Sequence, residues 1–133
     1  MILVDTNVWT DLISDDPVWK PWSFQQLKTL SLNNELVINC VIYAELSANY
    51  KQRQELDSFL QPTKVKLVEV SQDAAFHAGL AYLAYRRRQG TQTGVLPDFF
   101  IGAQAQSEGW TLLTRDSTRY RTYFPTVHLV CPQ

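Results

Sequence analysis

The sequence predicts an α/β protein that folds as one domain over residues 1–133, with a five-stranded parallel sheet flanked by helices. The first observation is an unbroken apolar run at residues 1–4, which is typical of a strand buried on both faces. The second is the alternation of such runs with helical stretches, which predicts parallel strands joined by right-handed crossovers. The third is a chain of 133 residues, 45% of them hydrophobic and 19% charged, which suits one domain with its own core.

Five short apolar runs are the predicted strands. They lie at residues 1–4, 36–40, 65–70, 110–114 and 127–130. The third run contains Lys66 and Glu69, and charged side chains of this kind are typical of a strand that lies towards the edge of a sheet. We therefore expect the third strand nearer to an edge than the first.

Hydroxyl side chains, prolines and glycines predict where the helices begin and end. Thr6, Ser23 and Ser71 are the predicted caps of three helices. One long helix is predicted from Val41 towards Leu60, and a turn or short helix over residues 117–124. The other predicted boundaries are ends at Pro17, Pro62, Gly90 and Gly109, and a start at Pro97.

Two tryptophans, Trp19 and Trp22, lie in a loop that contains Pro17 and Pro21. We interpret this loop as one that folds its indole rings onto the domain, which is common for large amphipathic side chains. The alternative is an exposed surface that binds a partner.

Composition limits the environment and the partners. The net charge is −1 and the isoelectric point about 6.1, so contact with nucleic acid has to come from local patches of charge. Cys40 and Cys131 have no metal-type spacing and are interpreted as reduced residues of a cytoplasmic protein. No apolar run is long enough for a membrane span, and the N-terminus has no signal-peptide pattern.

Four acidic residues are expected at one edge of the sheet. Asp5 and Asp116 each follow a predicted strand, whereas Glu45 and Asp98 each lie in the first turns of helices that start from the same edge. Taken singly, each acid has a structural explanation, such as a favourable position at a helix N-terminus. Four converging carboxylates repel one another, and a hard divalent cation such as Mg²⁺ or Mn²⁺ removes that conflict.

Arginines supply the candidate contacts to nucleic acid. Arg86, Arg87 and Arg88 close a predicted helix, where cations interact favourably with the helix dipole. Three arginines before a polar loop also suit the binding of phosphates, and an acidic site that repels a phosphate backbone favours this second interpretation. Arg115, next to Asp116, is a further candidate for binding a nucleic-acid backbone.

Four segments resemble the signature segments of PIN-domain nucleases. They are Val4-Asp5-Thr6-Asn7, Tyr43-Ala44-Glu45-Leu46, Pro97-Asp98-Phe99-Phe100-Ile101-Gly102-Ala103 and Leu113-Thr114-Arg115-Asp116. In size and single-domain layout the chain is similar to VapC-type toxins of bacterial toxin–antitoxin pairs. The resemblance implies a metal-dependent endoribonuclease acting on RNA, structured RNA such as tRNA included, a homodimer and a small antitoxin partner. The departure is Phe99-Phe100, where small or aliphatic residues are usual, which changes the wall of the cleft.

The resemblance and the chemistry of phosphodiester hydrolysis together assign roles. Asp5, Asp98 and Asp116 would bind the principal Mg²⁺ or Mn²⁺, and Glu45 would complete the shell directly or through water. Outside this shell, Thr6 and Thr114 would support the ligands with their hydroxyls, and Asn7 would orient a water or a phosphate oxygen.

Other classes of protein fit the sequence less well. A phosphate-receiving signalling domain has an adjacent acidic pair after its first strand and a lysine after its last, and a haloacid-type phosphatase has a second aspartate where this chain has Asn7. His77 and His128 lie within a predicted helix and a strand, and we interpret them as structural or surface residues. A non-catalytic RNA-binding or protein-interaction domain on the same scaffold remains the alternative function.

Overall fold

The structure is a computed structural model that describes residues 1–88, 90–92 and 94–133, and these form five strands and seven helices. The strands are β1 (Ile2–Val4), β2 (Leu36–Asn39), β3 (Lys66–Val68), β4 (Thr111–Leu113) and β5 (Leu129–Val130). The helices are α1 (Thr6–Ile13), α2 (Lys20–Ser31), α3 (Cys40–Ser47), α4 (Arg53–Leu60), α5 (Gln72–Arg87), α6 (Leu96–Glu108) and α7 (Thr118–Tyr123), with a 3₁₀ turn at Gln61–Thr63.

The strands form one parallel sheet in the order β3-β2-β1-β4-β5. The predicted α/β class and five-stranded parallel sheet are therefore confirmed, as is the position of the third strand at an edge. The central strand β1 is buried along its whole length, as its unbroken apolar sequence predicts. Because all five strands run the same way, the residues that follow β1, β2 and β4 meet at one edge of the sheet.

The first helix is capped by Asp5 and not by Thr6, so this prediction was wrong. The Asp5 carboxylate accepts a hydrogen bond of 2.7 Å from the Thr6 N–H, and Thr6 is already the first residue of α1. Aspartate and threonine are both good caps, and the chain uses the earlier of the two. The Thr6 hydroxyl is thereby left for a contact elsewhere.

The second helix begins at Lys20, before the predicted cap Ser23. Pro21 lies in its first turn, where proline is favoured because its fixed backbone angle suits the helix. Ser23 is fully buried inside α2 and donates a hydrogen bond of 2.7 Å to Asp11, which is itself 1% exposed. Ser23 therefore joins α2 to α1 instead of starting the helix.

The long helix predicted from Val41 to Leu60 is two helices, α3 and α4. The Ser47 hydroxyl donates to the Tyr43 carbonyl and the Asn49 side chain donates to the Leu46 carbonyl. Side chains of these types compete for backbone groups and so favour a helix end at this point. The prediction of a cap at Ser71 is confirmed, and so is the end at Gly109, which adopts a left-handed backbone conformation with φ +70°.

A buried polar network fixes the positions of the two helices that carry Glu45 and Asp98. Asn39, at the end of β2, accepts a hydrogen bond from the Ile42 N–H and thus caps α3. Its amide donates at 2.7 Å to Gln104 of α6, which in turn donates at 2.8 Å to the Glu69 carbonyl. Asn39 and Gln104 are fully buried, so breaking either bond would leave an unsatisfied polar group in the core.

The packing of α6 against α7 depends on a glycine. A Cβ atom added at Gly102 would lie 2.3 Å from the Phe124 ring, which is far inside van der Waals contact. Gly102 therefore lets α7 approach closely and brings its side chains over the same edge of the sheet.

Trp19 and Trp22 were predicted to share a loop, but Trp22 lies inside α2 and Trp19 is the residue before that helix; both are half-buried. Trp22 packs against the core, and Trp19 lies edge-on to Trp22 with the Arg115 guanidinium 5.3 Å from its ring. None of the helices among the described residues is long and apolar enough to cross a membrane.

Candidate metal centre

The four acidic residues predicted from the sequence line one cleft at the carboxyl edge of the sheet, and we call it the acidic cleft. Its volume is about 300 Å³. Its lining consists of Asp5, Thr6, Asn7, Thr10, Glu45, Asp98, Arg115, Asp116, Arg119 and Tyr120. The structure thus brings Asp5, Glu45, Asp98 and Asp116 together, while their roles as metal ligands stay predictions.

Asp5 lies at the floor of the cleft and is 4% exposed. One carboxylate oxygen accepts from the Thr6 N–H, and the other accepts from the hydroxyls of Thr114 at 2.8 Å and Tyr120 at 2.9 Å. The Asn7 amide is 3.5 Å from this second oxygen. Asp5 is thus both the cap of α1 and the acceptor around which the polar groups of the cleft are arranged.

Glu45 and Asp98 reach the cleft from α3 and α6. The Thr6 hydroxyl donates at 2.6 Å to Glu45, which connects the first turn of α1 to α3. Asp98 accepts a hydrogen bond of 2.6 Å from the Arg119 guanidinium, and this ion pair is mostly shielded from solvent. One oxygen of the Glu45 carboxylate and one oxygen of the Asp98 carboxylate thus accept hydrogen bonds from the protein itself.

Asp116 is the exposed member of the four acids. Its backbone N–H donates to the Thr114 hydroxyl at 3.1 Å, and the Asn7 amide donates to the same hydroxyl at 3.3 Å. The Asn7 carbonyl oxygen accepts from the Arg115 N–H at 3.1 Å. The three residues predicted to support the ligands, Thr6, Asn7 and Thr114, therefore all contact acidic residues of the cleft or their backbone.

The protonation of the cleft reflects burial and crowding of negative charge. Burial raises the pKa of Asp5 to about 7, with a further contribution from the nearby Asp98 carboxylate, and the hydrogen bonds from Thr114, Tyr120 and Thr6 oppose this rise. Burial also raises the pKa of Glu45 and that of Asp98. Asp98 adds to the rise at Glu45 and Asp116 adds to the rise at Asp98, so the acids are coupled.

The donor set fits a hard divalent cation, although the side chains are not arranged around one. Four carboxylates in a cleft of this size supply the oxygen ligands that Mg²⁺ and Mn²⁺ prefer. The raised pKa values of Asp5, Glu45 and Asp98 reflect burial first and the neighbouring carboxylates second, and a cation bound there would offset both effects. Among the described residues, no group of three or more His, Cys, Asp or Glu side chains has the spacing to hold a metal ion. We therefore expect ion binding to require side-chain movement, above all of Arg119 away from Asp98.

The predicted RNA-binding arginines lie in two places. Arg115 lines the cleft, but its guanidinium forms a bidentate pair with the buried Asp11 at 2.8 and 2.9 Å. Arg86, Arg87 and Arg88 are exposed at the end of α5, outside the lining of the cleft. Arg88 lies 5.7 Å from the ring of Tyr123 in α7, the helix that also carries Arg119.

Arg119 and Tyr120 were not predicted as site residues. Both lie in α7, which begins at Thr118, two residues after Asp116, so they stand about one turn beyond that acid and line the cleft. The sequence predicted a turn or a short helix over residues 117–124. Taking the helix would have placed Arg119 and Tyr120 near Asp116, and this was the signal that could have identified them. His77 contacts Asp73 and His128 contacts Thr111, all outside the lining of the acidic cleft.

The fold and the cleft define an α/β protein whose acidic site lies at the carboxyl edge of a parallel sheet. A family model described as PIN domain matches residues 2–125. The chain therefore belongs to the PIN-domain family, and the predicted resemblance to that family is confirmed. No curated protein matches the chain in sequence.

Solved structures with the same fold come from toxin–antitoxin complexes. VapBC2 from Rickettsia felis, bound to a DNA fragment from its promoter, has a TM-score of 0.75 at 21% identity, with 100% of both chains covered. A toxin–antitoxin complex from Klebsiella pneumoniae has a TM-score of 0.69 at 25% identity, covering 100% of this chain and 98% of the other. FitAcB from Neisseria gonorrhoeae has a TM-score of 0.68 at 21% identity, covering 97% and 96%.

Proposed function

We propose that the protein is a Mg²⁺- or Mn²⁺-dependent endoribonuclease that acts as the toxin of a toxin–antitoxin pair and hydrolyses phosphodiester bonds in RNA, structured RNA such as tRNA included. The single observation that carries the proposal is the convergence of Asp5, Glu45, Asp98 and Asp116 on one cleft in a PIN-domain fold. Membership of this family and the likeness to toxin–antitoxin complexes support the class of activity and the biological role.

In this proposal Asp5, Asp98 and Asp116 hold the ion, with Glu45 completing the set. When bound, a divalent cation lowers the pKa of water and stabilises charge on a phosphate. The protein's own groups orient the ligands: Thr114 and Tyr120 hold the buried oxygen of Asp5, and Thr6 holds Glu45. The backbone around Asp116 is fixed through Thr114 and Asn7, so Asp5, Glu45 and the Asp116 backbone are held in place, and the side chain that has to move is Arg119 on Asp98.

Cleavage of structured RNA with and without metal tests the proposed activity. The purified protein is expected to cut tRNA in Mg²⁺ or Mn²⁺, to stop when EDTA is added, and to resume when excess metal is returned. The reason is that the cleft offers carboxylates and no histidine pair for metal-free hydrolysis. Cleavage that continues unchanged in excess chelator would contradict the proposal, whereas tight RNA binding without cleavage in either metal would favour the non-catalytic alternative.

Arg86, Arg87 and Arg88 are proposed to bind the RNA backbone outside the acidic cleft. Replacing all three by glutamine is expected to weaken RNA binding and to lower the slope of log affinity against log salt by about 2, because each lost phosphate contact removes about 0.7 to 0.9 of counterion release. The measurement is RNA affinity over a series of salt concentrations. The double variant Lys28→Gln/Lys51→Gln, which removes exposed cations on other parts of the chain, is the control and should keep the parent's slope. An unchanged slope in the triple variant would show that the three arginines do not contact RNA phosphates and are ordinary solvated charges.

Two apolar surfaces support the proposed protein partners. Phe76, Leu80 and Leu83 are 65%, 50% and 45% exposed and share one face of α5, which suits a homodimer contact. A groove of about 260 Å³ between α1, α2 and the 3₁₀ turn is lined by Trp9, Leu12, Phe24 and Leu27 among others, and it suits an apolar segment of an antitoxin. Sedimentation of the purified chain checks the dimer, and co-purification with the product of a neighbouring short reading frame checks the antitoxin.

A further inference from the structure

A second cavity lies directly beside the acidic cleft, and we call it the aromatic cavity. It has a volume of about 330 Å³ and shares Asp116 and Arg119 with the cleft. The rest of its lining is Tyr85, Gln92, Thr118, Thr122 and Tyr123. A ligand that extends out of the acidic cleft past Arg119 would therefore enter this cavity next.

The wall of the aromatic cavity has the features of a stacking platform. Tyr123 is half-buried, and its ring is held edge-on by Phe99 at 5.3 Å and by Tyr85 at 6.1 Å. The exposed guanidinium of Arg88 lies 5.7 Å from the centre of the Tyr123 ring. An aromatic ring packed between two others, with an exposed cation over it, suits a flat, electron-rich group that carries a phosphate.

Arg119 stands between the two cavities. One of its guanidinium nitrogens donates to Asp98 at 2.6 Å in the acidic cleft, and the other donates to the Gln92 side chain at 2.7 Å in the aromatic cavity. Its guanidinium centre is also 5.6 Å from the centre of the Tyr85 ring. A planar guanidinium in this position can bind the phosphate that joins a group in one cavity to a group in the other.

We propose that the aromatic cavity binds a nucleobase of the RNA, namely that of a nucleotide next to the phosphate in the acidic cleft. This inference rests on the proposed function, because it takes RNA to be the ligand of the cleft. The base stacks on Tyr123, while the Gln92 amide and the hydroxyls of Thr118 and Thr122 offer hydrogen bonds to its edge. The cavity thus makes binding depend on the base and not only on the backbone charge.

The test compares RNA that has bases with RNA that has none. Short single-stranded oligomers of adenylate, uridylate and cytidylate, and an oligomer of the same length with ribose and phosphate but no base, are the probes. Binding is followed by fluorescence anisotropy in EDTA, so that the readout does not depend on cleavage. The parent is expected to bind at least one base-containing oligomer about 5- to 150-fold more tightly than the abasic oligomer, the range that stacking of one base supplies.

Thr122→Met fills part of the cavity from an exposed position of α7 with a longer side chain that has no aromatic face, and it is the main variant. It is expected to lose the preference for the base-containing oligomer and to bind the abasic oligomer as the parent does. Tyr123→Leu should have the same effect, whereas Tyr123→Phe keeps the ring and should keep the preference. Thr29→Met, at an exposed threonine of α2, is the matched control and should behave as the parent.

Each other result counts against the inference in a distinguishable way. Equal binding of the base-containing and abasic oligomers by the parent would show that the aromatic cavity does not bind a base. It would not contradict the proposed nuclease activity. A variant that loses both oligomers equally, or neither, would show that the cavity does not read the base. Failure of the parent to bind any oligomer would overturn the base site and also count against RNA as the ligand of the cleft.

Discussion

Replacement of Asp5 by asparagine is expected to reduce RNA cleavage by at least about 100-fold, because even partners outside the ligand shell of a metal typically contribute 10- to 100-fold. In EDTA near pH 8 the same variant is expected to be as stable as the parent or more stable. Asparagine keeps one carbonyl oxygen for the Thr6 N–H, and the Tyr120 hydroxyl can turn to accept from its amide. The Thr114 hydroxyl already accepts from Asn7 and from the Asp116 N–H, and its own proton can go to the Asp116 carbonyl, which is 3.2 Å away. The substitution also removes one buried charge that the nearby Asp98 carboxylate opposes.

The pKa of Asp5 determines how the stability of the parent should change with pH in EDTA. The pKa of Asp5 is about 7 in the folded protein and near 3.8 in an unfolded chain, so the folded state binds more protons between these values. The free energy of unfolding of the parent should therefore fall as pH rises from about 4 to about 7, by an amount of the order of 4 kcal/mol from Asp5. Asp5→Asn should lose this part of the decline and keep the part due to Glu45 and Asp98, whose pKa values are also raised.

Denaturant unfolding of the parent and of Asp5→Asn at several pH values in EDTA measures this difference. Glu108→Gln is the control, because Glu108 is exposed at the far end of α6 and should leave the parent's pH profile unchanged. Strong destabilisation of Asp5→Asn in EDTA would show that Asp5 is mainly a structural acceptor for α1, Thr114 and Tyr120, and the metal site would lose its central residue.

The positions of the four acids could be predicted because each depends on local signals. Asp5 directly follows the apolar strand β1, and Asp116 lies three residues after the end of β4. Asp98 follows a proline in the first turn of α6, and Glu45 lies in α3, which directly follows β2. Parallel strands then bring these ends to one edge of the sheet, whatever the details of side-chain packing.

Other features of the site depend on contacts between residues distant in sequence. The pairing of Arg119 with Asp98 and of Arg115 with Asp11 could not be predicted, because a single arginine in a short helix or after a strand has many equivalent partners. The break between α3 and α4 was missed because no proline or glycine lies between residues 41 and 60 to mark a helix end. There the side-chain hydrogen bonds of Ser47 and Asn49 to backbone carbonyls accompany the end of α3.

Metal binding by Asp98 is the second prediction with a large expected effect. Asp98 is held by Arg119 in the structure, so an ion that binds there must displace the guanidinium. Asp98→Asn is therefore expected to lower the affinity for Mn²⁺ by at least about 10-fold, since it removes both a ligand and a negative charge. Arg119→Gln should bind Mn²⁺ at least as tightly as the parent, because it removes the competing cation.

Titration of the protein with Mn²⁺, followed by the loss of the electron paramagnetic resonance signal of free Mn²⁺, tests the central claim most directly, because it reads ion binding at the carboxylates without RNA or cleavage. The account predicts at least one Mn²⁺ bound per parent chain, displacement of it by Mg²⁺, the same binding in Glu108→Gln, and weaker binding in Asp98→Asn. Equal binding by the parent and Asp98→Asn, or no binding by the parent, would contradict a metal centre in the acidic cleft.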